Sequence, residues 1–199
     1  MTTTIRSLDL DSLMLYAGGH DANEQRMCVM EAVAFVAGEP WSDHPKCASK
    51  VIGDFLRSWN DAMNDDDRQQ LVPLIPRLVG TAGTDAQEMQ RSWMALDWYC
   101  RVSAPAWLRL AGLTAEAEAI EATAPIVDSA SAMAAQDALN TARSAAAAAR
   151  AAAWAAARDA AGAAARAAAR AALRPTVEEL QQSAIALVLA MCEVSDGGA

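Results

Sequence analysis

Hydrophobic side chains recur at helical spacing along most of the first 125 residues, and the two-residue alternation typical of a strand is missing. Glycines and prolines divide this pattern into segments. It predicts helices over 8–16, 21–37, 49–63, 84–104, 106–110 and 114–123. A shorter helix opens at 64–67 and is interrupted by prolines into two short turns over 71–79, and 41–49, which contains Pro45, is predicted to be a loop. The capping pairs that support these starts include Asp21 with Glu24.

The second part of the chain is dominated by alanine, which is the best helix former. Residues 129–174 contain no proline and only one glycine, Gly162. A single helix over these 46 residues would be about 69 Å long. Pro175 is expected to end it, and Thr176 with Glu179 to cap a last helix that returns to the body. The predicted fold class is therefore all-α: a helical N-terminal body, a long alanine-rich helix and a returning C-terminal helix.

The change in composition predicts two domains, at 1–125 and 126–199. Within the second, larger residues recur every four positions among alanines. The predicted interface on this tract consists of Arg150, Trp154, Arg158, Arg166 and Arg170. Alanine faces bury little apolar area, so such a helix needs a partner along its length. Two interpretations stay open: a low-complexity spacer kept in solution by its arginines, or an alanine-packed rod that pairs with the C-terminal helix from Thr176 or, as we favour, with a second copy.

Charge is distributed unevenly along the 199 residues. The net charge is −9, and the pI of about 4.6 argues against an overall basic nucleic-acid-binding protein. Residues 143–174 hold six arginines and one aspartate, which is +5, so the remainder carries −14. We favour the interpretation that the basic tract contacts the acidic body, within one copy or across a dimer. The alternative is that the arginines bind phosphate groups.

The N-terminal sequence, the charges within the alanine tract and the cysteines indicate the compartment of the protein and its relation to membranes. The N-terminal sequence has no apolar core of the signal-peptide type, and the alanine tract carries charges that oppose membrane insertion. The four cysteines are scattered without a Cys-x-x-Cys pair, which is typical of a reducing environment. We expect a cytoplasmic protein that does not enter a membrane.

One group of residues has the chemistry of a site. Both histidines and two cysteines fall within the first 47 residues: His20, Cys28, His44 and Cys47. Imidazole and thiolate are the preferred ligands of zinc, and a structural zinc takes four, so these residues are the predicted metal ligands. The same residues also permit a thiol enzyme with Cys28 as nucleophile, its pKa lowered by a position near a helix start, His44 as base and Asp43 or Glu31 as orienting group; metal binding is favoured over this interpretation. In the simpler alternative, Cys28 is a small core residue and the histidines cap loops.

The string GGHDANEQRMCVMEAVAFVAGEPWSDHPKC, followed by FLRSWND, RLVGT, WLRLAGLT and the alanine-arginine tract, resembles a set of uncharacterised alanine-rich proteins of actinobacteria and their phages. The resemblance covers most of the chain and implies such an origin, without an activity. The chain differs from those proteins in having Arg26 where they have glycine, and Trp154 as the single tryptophan of the tract.

These observations favour a non-enzymatic interaction, structural or regulatory protein that forms a homo-oligomer through the alanine-rich helix and presents a surface to a protein partner. The alternative is a metal- or thiol-dependent enzyme that uses His20, Cys28, His44 and Cys47, and a third is nucleic-acid binding through the arginines. Zinc is the one cofactor that the sequence suggests.

Overall fold

The protein is all-α, as predicted. A computed structural model describes residues 8–22, 26–157 and 163–195, with the backbone alone for 152–157 and 163–170. Within these ranges the chain has no β-sheet, and Leu15 and Met27 form one isolated parallel bridge. The helices are α1 (Val29–Val36), α2 (Lys50–Ala62), α3 (Asp65–Arg68), a 3-10 turn (Gln69–Leu74), α4 (Ile75–Leu78), α5 (Asp85–Trp98), a π-helical turn (Tyr99–Ser103), α6 (Ala104–Leu110), α7 (Thr114–Glu121), α8 (Ser129–Ala157) and α9 (Ala163–Cys192).

The helix predicted over 8–16 is wrong: residues 10–12 form a turn, and tertiary hydrogen bonds hold the chain extended at Leu15 and Tyr16. The side-chain amide of Gln69 accepts from the Leu15 N–H at 2.8 Å and donates to the Leu15 carbonyl at 3.1 Å. Asn60 donates to the carbonyl of Tyr16 at 2.9 Å. Backbone groups that would have paired within a helix therefore pair with side chains far along the chain.

The first helix begins at Val29, so the predicted start at Asp21 is wrong. Cys28 takes the N-cap position, and the Glu31 side chain accepts from the Cys28 N–H, which completes a capping box. The predicted end is confirmed: the helix stops before Gly38, whose φ of 71° suits glycine.

The predictions for 49–79 are confirmed. Ser49 caps α2 by accepting from the Ile52 N–H at 3.2 Å, and Asn64 caps α3 by accepting from the Asp67 N–H at 2.9 Å. Pro73 and Pro76 lie in the short turns that follow, where a long helix cannot form.

Pro105 does not end the fifth helix as predicted. The chain passes from α5 through the π-helical turn into α6, with Pro105 in the first turn of α6. The Ala104 N–H bonds to the Tyr99 carbonyl, which is the wider pairing of a π turn. The shift in pairing accommodates a residue that has no N–H to donate.

The helix predicted for the alanine tract is present on both sides of 158–162, as α8 and the first part of α9. Gly162 lies outside the described residues. Pro175, however, is inside α9, so the predicted helix end at Pro175 and the separate start at Thr176 are wrong. The predicted return of the C-terminal helix to the N-terminal body is confirmed, because residues 188–199 belong to one compact unit with residues 1–92. Residues 171–175 are exposed, and water can therefore hydrogen-bond the carbonyl that Pro175 leaves unpaired. The alanines before it favour helix strongly enough to continue through it.

The packing divides the chain into unit 1, residues 1–92 with 188–199, and unit 2, residues 93–187. In unit 1, α1 packs on α2 and α4 around large buried side chains, among them Met30, Ile52 and Leu56. In unit 2, α7 packs on α6 and α8, and the core is small: Leu108, Ala117, Ile120 and Ala142 form one cluster. The predicted boundary at 125/126 follows composition, whereas these units follow packing.

None of the described helices is apolar over a length that would cross a bilayer.

Candidate functional site

The Glu31 carboxylate joins two of the four predicted ligands. It is buried in α1, and its Oε2 lies 3.0 Å from His20 Nδ1 and accepts from the Cys28 N–H at 2.7 Å. Its Oε1 accepts from the His20 N–H at 2.7 Å. The His20 side chain is itself buried, and the His20 carbonyl accepts from Trp41 Nε1 at 2.6 Å. This arrangement satisfies every oxygen of a buried carboxylate, which is the requirement for its stability.

Cys28 does not have the properties of a nucleophile. The residue is 3% exposed, and burial, together with the nearby charge of Glu31, raises the pKa of its thiol to about 12. The helix start was expected to lower this pKa, and that expectation is wrong because loss of hydration outweighs the helix N-terminus. The thiolate that a thiol enzyme needs is therefore strongly disfavoured.

His44 and Cys47 lie in the loop before α2, in different surroundings. The His44 side chain is 66% exposed and its Nδ1 is 2.6 Å from the Asp43 carboxylate. The Cys47 carbonyl accepts from the N–H groups of Gly80 and Ala82, and burial raises the pKa of the Cys47 thiol. In the described part of the chain, no three His, Cys, Asp or Glu side chains are grouped so as to hold a metal ion. Zinc binding by the four residues stays a prediction.

A cavity of about 650 Å³ opens beside the start of α2 in unit 1, and His44, Lys46 and Arg57 line it. Glu88 occupies the helix N-terminus there. Its Oε2 accepts from Ser49 Oγ at 2.7 Å and from the Val51 N–H at 3.0 Å, and Arg91 donates to its Oε1 at 2.7 Å. Burial opposes ionisation of Glu88, but these hydrogen bonds together lower its pKa. The Ser49 hydroxyl and the Val51 N–H, which could bind an external anion at this helix N-terminus, are thus already used.

Sequence reasoning missed this second capping carboxylate because Glu88 is 37 to 39 positions from its partners. Arg91 extends the network by donating from Nε to the Met191 carbonyl at 3.0 Å, which ties α5 to the end of α9 within unit 1. Only the i,i+3 spacing of Glu88 and Arg91 was visible in the sequence.

An open apolar surface lies in unit 2. A groove of about 850 Å³ has the π-helical turn and α6 on one side and α8 on the other, and we call it the Trp107 groove. Trp107 is 43% exposed and Tyr99 is 63% exposed. The buried side chains of Leu108 and Ile120 also line it. The groove also contains a π-helical turn, and such turns occur frequently at functional sites.

The charged residues of the Trp107 groove are of one sign. Arg143 and Arg150 line it, and none of the described residues in the lining is an aspartate or a glutamate. Both side chains are exposed, and none of the ion pairs found among the described residues includes either of them. Exposed aromatic side chains beside arginines are the residue types that dominate protein interfaces.

Of the five predicted interface residues on the alanine tract, Arg150 lines the Trp107 groove. The side chains of Trp154, Arg166 and Arg170, and the whole of Arg158, lie outside the described residues. Comparison of the chain with protein-family models, curated proteins and solved structures finds no match.

Proposed function

We propose that the protein is a non-enzymatic interaction protein that forms a homo-oligomer through α8. The observation that carries this proposal is the side of α8 that points away from the Trp107 groove, which we call the outer face. Its members lie three or four residues apart and are exposed along the described helix: Ala130, Ala134, Asp137, Thr141, Ser144, Ala148 and Ala151.

The outer face has the spacing of a helix-pairing seam. Small side chains let two helices approach closely and form many van der Waals contacts. Alone, each alanine methyl gains little from burial, so the benefit comes from the length of the contact. An antiparallel pair centred near Thr141 would place Asp137 across from Ser144 and would separate the two Asp137 carboxylates.

Charge supports contact between copies as well. The arginine-rich stretch 143–174 is positive and the rest of the chain is strongly negative, so one copy offers the other a complementary surface. The alternatives, a metal- or thiol-dependent enzyme at His20, Cys28, His44 and Cys47 or nucleic-acid binding through the arginines, have no comparable support.

Sedimentation equilibrium across a dilution series tests this proposal. We expect the wild type to be a dimer that dissociates on dilution, and Ala134→Glu/Ala148→Glu to be a monomer with an unchanged helical circular dichroism spectrum. Dimerisation should be lost because the interface would have to bury four carboxylates per dimer, which repel one another and lose their hydration. The matched control is Ala86→Glu/Ala119→Glu, which makes the same substitutions at exposed positions of α5 and α7 and should stay dimeric.

Two results contradict the proposal. One is a wild-type protein that is a monomer at every concentration. The other is a dimer that Ala134→Glu/Ala148→Glu leaves intact, since the outer face would then not be the interface.

A further inference from the structure

We propose that the Trp107 groove binds an amphipathic α-helix of a protein partner, and that this partner helix carries acidic residues along the edge of its apolar stripe. The inference goes beyond self-association, because it concerns the side of α8 opposite the outer face. It follows from the apolar lining of the groove, from the spacing of its two arginines and from the absence of an acidic counterpart among the described residues that line it.

The apolar lining determines the kind of surface that the groove accepts. Tyr99 and Trp107 are large side chains left open to solvent next to the buried Leu108 and Ile120. Covering such a patch is favourable at roughly 25 cal/mol per Å² of apolar area. An apolar stripe of leucine-like side chains on a helix, spaced three and four residues apart, suits a groove bounded by helices.

The two arginines determine the charge of the occupant. Arg143 and Arg150 are seven residues apart on α8, which is two helical turns or about 10 Å. Both face the same groove, and none of the side chains that the structure describes in its lining is a carboxylate that could compensate them. A partner helix lying along α8 with two carboxylates seven residues apart would meet both guanidinium groups.

Other occupants fit less well. A second copy's α8 would bring its own Arg143 and Arg150 against the same charges. Single-stranded nucleic acid would use the aromatic rings, but the lining is mostly aliphatic and the chain carries −9. A small carboxylic acid would meet one arginine and leave the second uncompensated.

The experiment uses the full-length protein and constrained helical peptides of about five turns. The peptides share one leucine stripe and differ only at two edge positions seven residues apart, which are both Glu, both Gln or both Lys. Fluorescence anisotropy should show the Glu peptide binding at least about tenfold more tightly than the Lys peptide, with the Gln peptide between them. Salt should reduce the difference.

Variants test whether the peptide lies in the groove. Arg143→Glu/Arg150→Glu should reverse the order, so that the Lys peptide binds more tightly than the Glu peptide. Arg77→Glu/Arg109→Glu, which makes the same charge change at two exposed arginines outside the groove, should preserve the order. Tyr99→Ala should weaken binding of the Glu peptide about tenfold, as loss of an aromatic anchor does.

The inference is overturned by equal binding of the Glu and Lys peptides, by no binding of either, or by an order that Arg143→Glu/Arg150→Glu leaves unchanged. It is also overturned if oligothymidylate or dodecanoate binds the groove while the Glu peptide does not. Sedimentation of the same samples separates the two proposals. Failure of peptide binding in a protein that dimerises counts against the groove alone, and peptide binding by a monomer counts against the outer face alone.

Discussion

Unit 1 and unit 2 are both helical, but they are stabilised by different means. The core of unit 1 contains large side chains such as Leu56, Leu71 and Ile75, supported by the buried carboxylate of Glu31. Unit 2 packs largely through alanines and carries eight of the eleven large hydrophobic side chains that are exposed in the described chain, against three in unit 1. This difference suggests that unit 1 supplies stability and that unit 2 supplies surface for association.

The largest effect is expected in the core of unit 1. Leu56→Ala removes a fully buried side chain of α2 and should lower the free energy of unfolding by about 2–5 kcal/mol. Leu110→Ala, the same substitution at a 43% exposed position of unit 2, should cost less than about 1 kcal/mol. Chemical denaturation followed by circular dichroism measures both. Equal losses would remove the distinction between the two units.

The Glu31 network is the next strongest feature of unit 1. Glu31→Gln should destabilise the protein by about 2–3 kcal/mol, because the neutral amide cannot accept all three hydrogen bonds from His20 and Cys28. Glu179→Gln, at an exposed position of α9, is the matched control and should have almost no effect. A double-mutant cycle with His20→Gln measures the coupling directly. Additive losses would show that His20 and Glu31 do not interact.

Glu88 should make stability depend on pH. Its pKa is lowered in the folded state, so the stability due to its ionised form is complete above its ordinary pKa of about 4.3 and is lost as the pH falls through the lower folded value. Glu88→Gln should cost about 1 kcal/mol at neutral pH, and the difference from the wild type should shrink below about pH 4.

The control for this pH dependence is Glu121→Gln in unit 2. The hydrogen bond from Arg109 also lowers the pKa of Glu121, but both side chains are exposed to solvent and salt. The loss in free energy of unfolding caused by Glu121→Gln should disappear when the salt concentration is raised, whereas the loss caused by Glu88→Gln should persist. An effect of Glu88→Gln that does not vary between pH 3 and pH 7 would refute the assignment.

The smallest effect on stability is expected at the Trp107 groove. Tyr99→Ala should change the free energy of unfolding by less than about 0.5 kcal/mol, since the ring is mainly in solvent. Leu108→Ala, in the same groove but buried, should cost about 2–5 kcal/mol. A large loss of stability for Tyr99→Ala would place this ring in the core and remove it from a binding surface.

Local chemistry in the sequence determined the fold class and several helix boundaries. Ser49 and Asn64 cap α2 and α3 because a side-chain oxygen reaches an N–H three residues on, and that distance is visible in the sequence. Gly38 follows the end of α1 because glycine readily adopts a positive φ. The alanine tract forms α8 because alanine has the highest helix propensity. Long-range contacts are not needed for any of these features.

Tertiary structure alone decided the features that define the candidate sites. The extended conformation at Leu15 depends on Gln69, 54 residues away, and the additional carboxylate that accepts from the Val51 N–H at the start of α2 comes from Glu88. The Trp107 groove exists because a π-helical turn and α8, distant in sequence, lie on either side of it. A hydrogen-bond partner or a groove wall is determined by distance in space, and the spacing of residues along one helix contains no information about which other helix will be opposite.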